Sequence, residues 1–161
     1  MLTKQNKPTI IKYMKYEKEL ILMVGPIGSG KSTLAKSLVK DSDIYISQDE
    51  QGKKGHFQEF TGAINLGFRR VIVDRMGFNK QQRIRYINPA KELGYIITII
   101  EMNTPRDICF NRVLNRKKHP TIEANNSKLA NKILDFYYKS YEKPLPEEYD
   151  NYNVINYEEV L

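Results

Sequence analysis

The sequence predicts an α/β protein whose sheet is mainly parallel, has about five strands and is covered by helices. Two observations support this fold class. Apolar runs of strand length alternate along the chain with segments of helical periodicity, which is the order that parallel sheets require. The 161 residues are also enough for one such core and too few for two. We therefore expect one domain over 19–161, preceded by a lysine-rich basic extension over 1–18.

The individual elements follow from short apolar runs and from apolar positions three or four residues apart. The predicted strands are 20–25, 43–47, 69–74, 95–101 and 152–157. The predicted helices are 31–40, 54–67, 79–93, 104–116 and 127–142. Pro89 is expected to kink or split the third helix because it lacks an N–H donor. Gly94 is expected to end that helix, and Thr104 to cap the next.

The composition is basic, with 26 Lys and Arg against 19 Asp and Glu and a net charge of +7. Such an excess attracts polyanions such as nucleic acid, although many basic proteins bind none. One cysteine, Cys109, excludes an internal disulfide and favours a reducing, cytoplasmic compartment. No apolar run is long enough to span a membrane. Richness in Lys, Asn, Ile and Tyr suggests an AT-rich genome such as that of a phage or another virus.

The most specific motif is Gly-Pro-Ile-Gly-Ser-Gly-Lys-Ser at 25–32, which fits G-x-x-x-x-G-K-[ST] directly after an apolar strand. Such a loop curls so that backbone N–H groups point at phosphate oxygens, and the following helix adds its positive end. Lys31 would reach the β and γ phosphates, and the Ser32 hydroxyl would ligate Mg²⁺. The loop predicts binding of a nucleoside triphosphate, ATP or GTP, by Gly28, Ser29, Gly30, Lys31, Ser32 and Thr33.

Two aspartates directly follow predicted strands, where ligands bind in open α/β sheets. Asp49 lies beyond the strand 43–47, and Asp74 ends the strand 69–74. Asp49 can accept the hydrogen bond of an incoming hydroxyl, or it can cap a helix or turn. Asp74 can hold a Mg²⁺-bound water, bind the acceptor, or pair with Arg75 in a turn. The residues alone leave these alternatives open.

Three arginines are suited to phosphate, because the planar guanidinium donates two parallel hydrogen bonds. Arg83 follows Asp74 on the third predicted helix. Arg112 and Arg116 are four residues apart on one helix and so share a face. Together with the irregular segment that follows, they predict a lid at about 112–126 that stabilises a transferring phosphoryl group. A solvated helix face is the alternative for all three.

Several segments follow a single pattern. Beside the loop at 25–32, the chain has Ser-Gln-Asp-Glu-Gln-Gly at 47–52, Val-Ile-Val-Asp-Arg-Met-Gly-Phe-Asn at 71–79 with Arg83 downstream, and Arg112-Val-Leu-Asn-Arg116 before His119-Pro120. Over about 20–141 this pattern resembles P-loop polynucleotide 5′-kinases, a family that includes the phage enzyme, the kinase half of polynucleotide kinase-phosphatase and the kinase domains of RNA-repair ligases.

The resemblance implies a kinase-like P-loop fold, a three-layer sandwich with an arginine-bearing lid. It implies that Asp49 activates a polynucleotide 5′-OH and that Lys31, Arg112 and Arg116 stabilise the transferred phosphate. Asp74, Arg75 and Arg83 would arrange the acceptor. Mg²⁺, an NTP donor, RNA or DNA 5′-OH ends and a separate ligase would be its cofactors and partners.

The sequence departs from the family at Gln48, where an arginine is frequent, and at Gly52, where the phage enzyme has one. Lys53, Lys54 or the basic extension would then bind acceptor phosphates. Two alternatives belong to other classes. One is a P-loop kinase of a small-molecule alcohol such as a nucleoside, sugar or gluconate, and the other is a non-catalytic NTP-binding repair subunit.

Overall fold

The computed structural model describes residues 17–116 and 126–160. Its five strands are β1 (Glu19–Val24), β2 (Ile44–Ser47), β3 (Arg70–Asp74), β4 (Ile96–Asn103) and β5 (Asn151–Asn156). They form one sheet in the order β2-β3-β1-β4-β5, and every neighbouring pair is parallel. The predicted five-stranded α/β fold is confirmed. Residues 1–16 of the predicted extension and 117–125 of the predicted lid lie outside the described residues.

Six α-helices are found in the part of the chain that the structure describes. They are α1 (Lys31–Leu38), α2 (Gln48–Gln51), α3 (Lys53–Asn65), α4 (Lys80–Glu92), α5 (Arg106–Asn115) and α6 (Ser127–Ser140). Two 3₁₀ turns, Pro146–Glu148 and Tyr157–Val160, flank β5. Five of the six helices lie within a few residues of their predicted bounds. The four-residue α2 is too short to show a periodicity, and the sequence analysis missed it. No described helix has the length and apolar character needed to cross a membrane.

The sheet carries helices on both faces because successive side chains of a strand point to opposite sides. From β1, Leu20 and Leu22 enter a core with Phe60 of α3 and Ile87 of α4. The alternate residues Ile21 and Met23 pack instead against α1 on the other face. Both faces of a central strand are thus buried, which explains its uninterrupted apolar run. The result is the predicted three-layer arrangement.

Two local expectations were wrong. Pro89 lies inside a continuous α4, so the predicted split of that helix does not occur. It sits one turn from the C-terminus, so the lost hydrogen bond is a small fraction of that helix. Thr104 does not cap α5, which begins after Pro105 without a side-chain cap. Gly94 was predicted correctly, since it follows the end of α4 with φ 83°.

The carboxyl ends of all five strands meet at one edge of the sheet because the strands are parallel. The 25–30 loop leaves β1 at this edge, and Ser47 of β2 pairs with Asp74 of β3 there. The helices α1, α2 and α3 begin at the same edge. The first turns of α1 and α2, together with the end of β3 and the loop, form the walls of the candidate site.

Candidate functional site

The 25–30 loop has the backbone of a phosphate cradle. Gly28 and Gly30 adopt φ values of 77° and 91°, in the left-handed region that favours glycine. A Cβ on Gly28 would fall against the carbonyl oxygen of Cys109 and within 3.0 Å of the Val113 side chain. Helix α5 therefore packs so closely on the loop that only glycine fits at that position.

Further contacts from α5 and its approach fix the loop. Thr104 donates its hydroxyl hydrogen bond to the carbonyl oxygen of Ser29 at 2.8 Å. Arg112 donates from Nη1 to the carbonyl oxygen of Gly28 at 3.4 Å. These bonds engage carbonyl oxygens of the loop. The N–H groups at the start of α1 receive no hydrogen bond from a side-chain cap. A backbone of this kind presents donors to an anion.

Asp74 lies at the centre of the charged groups beside the loop. Lys31 donates from Nζ to Asp74 Oδ1 at 3.0 Å, and Tyr45 donates its hydroxyl to Oδ2. Burial by itself would raise the pKa of Asp74, but the Lys31 charge and then the hydrogen bonds from Tyr45 and Ser32 hold it below its ordinary value. Asp74 is therefore a carboxylate. It pairs with Lys31, and the alternative of a turn pair with Arg75 does not occur.

The residues present fit a nucleoside triphosphate and Mg²⁺. The Ser32 hydroxyl and the Asp74 carboxylate are adjacent oxygens, the ligand type that Mg²⁺ prefers. Gln48 Oε1 is buried without a hydrogen-bond partner among the described residues, and Gln48 lines the cavity, so this polar atom is available to a bound substrate. No cluster of three or more His, Cys, Asp or Glu side chains occurs within 17–116 and 126–160. Mg²⁺ that is bound to substrate phosphates needs only one or two carboxylates or hydroxyls from the protein.

A cavity of about 180 Å³ opens over the loop. Its lining consists of Pro26, Ile27, Gly28, Gly30, Lys31, Ser32, Gln48, Asp49, Asp74, Arg75, Met76, Arg116 and Ile133. The structure thus gathers most of the sequence-predicted site residues around one space. Ser29, Arg83 and Arg112 are absent from this lining. Thr33 lies outside it too, in a neighbouring hollow.

Asp49 faces the cavity from α2. That helix is capped at its start by Ser47 Oγ, which accepts a hydrogen bond from the Asp49 backbone N–H at 3.2 Å. Gln48 beside it has a buried Oε1 with no partner among the described residues. The position where the family often has an arginine therefore presents a polar amide to the cavity.

Arg116 lines the cavity opposite these groups. Burial lowers its pKa, and the nearby Arg112 charge adds to this, whereas Asp49 acts in the opposite direction. Arg116 and Arg112 also line the neighbouring hollow together, although Arg116 lies just after the end of α5 in an extended conformation and not on the predicted helix face. Only Arg116 reaches the main cavity, since Arg112 is turned to the backbone of the loop.

Arg83 is not where the resemblance put it. Its guanidinium is fully buried and donates from Nε to Glu148 Oε1 at 2.7 Å and from Nη1 to the Gly77 carbonyl oxygen at 2.8 Å. This buried ion pair joins α4 to the turn before β5. The structure gives Arg83 a packing role behind the 74–77 loop.

Sequence reasoning missed three side chains around Asp74 and Arg75. Tyr45 binds Asp74. This contact could have been found by aligning β2 with β3, because Tyr45 lies on the same face of β2 as Ser47, which pairs with Asp74. Tyr86 and His56 bind Arg75 at 2.9 and 3.3 Å. They come from different helices, and nothing in the sequence indicated that they meet.

Arg75, which follows β3, lines the cavity. Three further cations lie outside that lining: Lys53 and Lys54 open α3, and the Arg85 guanidinium on α4 lies 4.3 Å from the centre of the Phe57 ring. None of the four forms an ion pair with a carboxylate of the described residues, whereas Lys31, Lys36, Arg70, Lys80, Arg83 and Arg106 all do.

Two proteins are similar to this chain in sequence. A candidate bifunctional polynucleotide phosphatase/kinase of Acanthamoeba polyphaga mimivirus is 30% identical over 149 residues, which are 89% of this chain and 34% of that protein. The transcription factor bHLH140 of Arabidopsis thaliana is 28% identical over 127 residues, 71% of this chain and 13% of that protein. The chain thus spans about a third of the mimivirus protein and less of the plant one. No family model matches the chain.

Solved structures share the fold at low sequence identity. A candidate kinase from Chloroflexus aurantiacus has a TM-score of 0.67 at 15% identity, covering 86% of this chain and 88% of its own. A sugar kinase of Janibacter has a TM-score of 0.60 at 14% identity, covering 88% and 86%. Kti12 of Chaetomium thermophilum, solved with ADP-AlF₃, has a TM-score of 0.61 at 16% identity, covering 85% and 88%.

The fold is therefore the α/β fold of P-loop kinases. At 14–16% identity, these solved structures show the fold of the chain alone.

Proposed function

We propose that this protein is a polynucleotide 5′-hydroxyl kinase, which transfers the γ-phosphate of ATP or GTP to a 5′-OH end of RNA or DNA. One observation carries the proposal. A single cavity combines a phosphate cradle and Lys31 with a carboxylate, Asp49, and an arginine, Arg116. Phosphoryl transfer requires this combination of a donor site, an acceptor base and a positive charge.

The donor half rests on the loop and the start of α1. Backbone N–H groups of Gly28 to Ser32 would hold the β and γ phosphates, and Lys31 would exchange Asp74 for phosphate oxygens. Mg²⁺, held by Ser32 and Asp74, would supply charge neutralisation at the phosphates when bound. Such a site acts mainly by orienting its substrates and by complementing charge.

The acceptor half rests on Asp49. Its carboxylate would accept the hydrogen bond of the 5′-hydroxyl and take the proton as the oxygen attacks the γ-phosphorus. A new O–P bond forms while the bond from that phosphorus to the β–γ bridging oxygen breaks, and the nucleoside diphosphate leaves. Arg116, across the cavity, would stabilise the negative charge that spreads over the transferring group. Arg112 would act from the loop side, since its guanidinium holds the Gly28 carbonyl.

The polynucleotide class of acceptor has two supports. The mimivirus relative is named for a polynucleotide substrate, and its similarity covers most of this chain. Arg75 lines the cavity, and it would bind the phosphates that follow a 5′ end together with Lys53, Lys54 or Arg85, none of which forms an ion pair with a described carboxylate. The product, a 5′-phosphate end, is what a ligase joins, so we assign the reaction to nucleic-acid end repair with a separate ligase as partner.

The test is transfer of label from γ-labelled ATP or GTP to 5′-OH oligonucleotides of RNA and DNA. A parallel panel contains nucleosides, sugars and gluconate. We expect labelled oligonucleotide and little or no labelled small acceptor. Labelling confined to a small alcohol would replace the proposal with a small-molecule kinase. Nucleotide binding by folded protein without turnover of any acceptor would replace it with a non-catalytic NTP-binding subunit.

A further inference from the structure

We propose that His56 is a positioning residue for this site, which holds Arg75 at the acceptor side through the Tyr86 hydroxyl and ties it to the segment that carries Asp49. The inference rests on the proposed transfer to an acceptor hydroxyl. It concerns how Arg75, which follows β3, and Asp49, which lies on α2 after β2, keep their positions relative to each other.

The contacts form a continuous chain across three elements. The Tyr86 hydroxyl on α4 lies 2.9 Å from Arg75 Nη1 and 2.8 Å from His56 Nε2, both closer than the direct 3.3 Å contact between Arg75 Nη1 and His56 Nε2. The other ring nitrogen, His56 Nδ1, lies 3.0 Å from the carbonyl oxygen of Gly52. Gly52 ends α2, the helix of Asp49, and begins α3. The chain therefore runs from Arg75 to the residue that closes the Asp49 helix.

Donor and acceptor chemistry limits the protonation of this chain. Arg75 can only donate and the Gly52 carbonyl can only accept, so His56 must carry a proton on Nδ1. In the neutral ring Nε2 then carries no proton and accepts a hydrogen bond. The Tyr86 hydroxyl accepts from Arg75 and donates to His56. One neutral tautomer satisfies the whole chain, and that tautomer leaves no polar atom of it without a partner.

The surroundings of His56 favour this neutral form. Its side chain is fully buried in the described structure. Burial lowers its pKa, and the charges of Arg75 and Arg85 lower it further, against the hydrogen bond to Gly52. The titratable and charged groups that face the ring are Arg75 beyond β3 and Tyr86 and Arg85 on α4. A protonated ring would present a donor to Tyr86 and a second cation to Arg75.

A histidine that merely fills the core would leave acceptor kinetics unchanged. Tyr86→Phe separates the two cases because it removes the hydroxyl and keeps the ring, which packs edge-on against Phe57 and Phe60. We expect the KM for the oligonucleotide to rise roughly tenfold, the loss expected for one such hydrogen bond. The KM for the nucleotide should stay within about twofold of the wild-type value, a bound on the order of assay error.

Tyr95→Phe is the matched control. Its ring is also buried, and its hydroxyl also makes one hydrogen bond, to the Phe68 carbonyl oxygen at 2.6 Å, at the opposite edge of the sheet. Both variants should lose similar stability in thermal unfolding. Only Tyr86→Phe should change the KM for the oligonucleotide. Equal oligonucleotide KM values in the two variants and the wild type would overturn the inference.

Two substitutions of His56 test the direction of the chain. In His56→Gln the amide oxygen takes the place of Nε2 and can accept from Tyr86, so the oligonucleotide KM should return towards the wild-type value. In His56→Asn the shorter amide reaches only the Nδ1 position, so the KM should match that of Tyr86→Phe. The reverse order would contradict the proposal.

A spectroscopic measurement needs no turnover. Nitrogen-15 NMR of the ring at pH 7 should show His56 as the neutral Nδ1–H tautomer, assigned by its loss in His56→Gln. The opposite tautomer or a protonated ring would overturn the inference whatever the kinetics. If wild-type protein labels no oligonucleotide, the proposed function fails, and the NMR result still decides the tautomer on which the positioning depends.

Discussion

The ammonium of Lys31 lies 3.0 Å from Asp74 Oδ1, and this pair joins the first residue of α1 to the last residue of β3. The two side chains are 12% and 1% exposed. Each side chain is thus the counter-ion of the other, and both are largely buried at the base of the cavity. A nucleotide with Mg²⁺ offers a replacement to both, since its phosphates suit Lys31 and its metal suits Asp74. The pair marks the point at which donor binding would reorganise the site.

Asp74→Asn should lower the free energy of unfolding by about 3 kcal/mol, because it leaves the Lys31 charge buried without its partner. It should also shrink the gain in ATP affinity that Mg²⁺ brings. The stability that the Asp74 carboxylate contributes is present above its ordinary pKa of 3.8 and is lost as the pH falls through the lower folded value, so Asp74→Asn should lack this acid limb. Urea unfolding between pH 2 and 7 and calorimetric titration with ATP measure these effects.

Asp43→Asn is the control for that variant. Asp43 pairs with Arg70 at 3.0 Å, at the opposite edge of the sheet from the cavity. It should cost stability without changing the Mg²⁺ dependence of ATP binding. Equal effects of the two substitutions on ATP binding would rule out a donor-site role for Asp74.

Gly28→Ala should abolish nucleotide binding, because its Cβ would collide with the Cys109 carbonyl and displace the loop from α5. Gly67→Ala controls for backbone strain alone. Gly67 has a φ of 76°, against 77° for Gly28, yet its Cβ would meet nothing within 4 Å. It should cost about 1 kcal/mol of stability and leave binding intact. Fluorescent-nucleotide titration of both variants checks this, and binding by Gly28→Ala at the wild-type affinity would contradict it.

These two sites show what the sequence makes predictable. Lys31 and Gly28 belong to one contiguous motif, and Asp49 and Asp74 follow strands whose apolar runs are easily read. Local periodicity and the rule that parallel strands end at one edge therefore bring them together. The alternation of strands and helices follows from the same patterns, whereas the strand order β2-β3-β1-β4-β5 was not predicted.

Side chains that depend on distant partners were not predictable in this way. Arg83 was assigned to the acceptor, but its partner Glu148 lies 65 residues away in the chain. Thr104 has the residue type and position of a helix cap, yet its hydroxyl is used by the Ser29 carbonyl across 75 residues. A single sequence has no local pattern that reports such pairings.

Arg83→Met should lower the free energy of unfolding by about 3–5 kcal/mol, since it strands the buried Glu148 carboxylate. At a temperature where the variant remains folded, the KM for the oligonucleotide should equal that of the wild type. Arg106→Met, which removes an ion pair with the exposed Asp135, should cost under about 1 kcal/mol. Chemical denaturation and steady-state kinetics provide both readings. A stable Arg83→Met enzyme with a raised KM for the oligonucleotide would show that Arg83 takes part in acceptor binding.

Lys54→Ala should reduce the salt dependence of oligonucleotide binding, because each phosphate contact with single-stranded nucleic acid releases counter-ions. The slope of log K against log salt should fall in magnitude by about 0.7. Lys40→Ala is the control, since Lys40 is exposed beyond the far end of α1. It should leave the slope unchanged. Binding isotherms between 50 and 200 mM salt test this, and equal slopes for Lys54→Ala and the wild type would remove Lys54 from the acceptor surface.

The central claim concerns Asp49, and a single-turnover measurement with Asp49→Asn tests it most directly. The variant would be saturated with γ-labelled ATP, Mg²⁺ and a 5′-OH oligonucleotide, while its ATP affinity is measured in parallel. The account predicts wild-type ATP affinity with label transfer slower by about 10²–10⁴-fold, the contribution of a general base. Transfer at the wild-type rate by Asp49→Asn would contradict it.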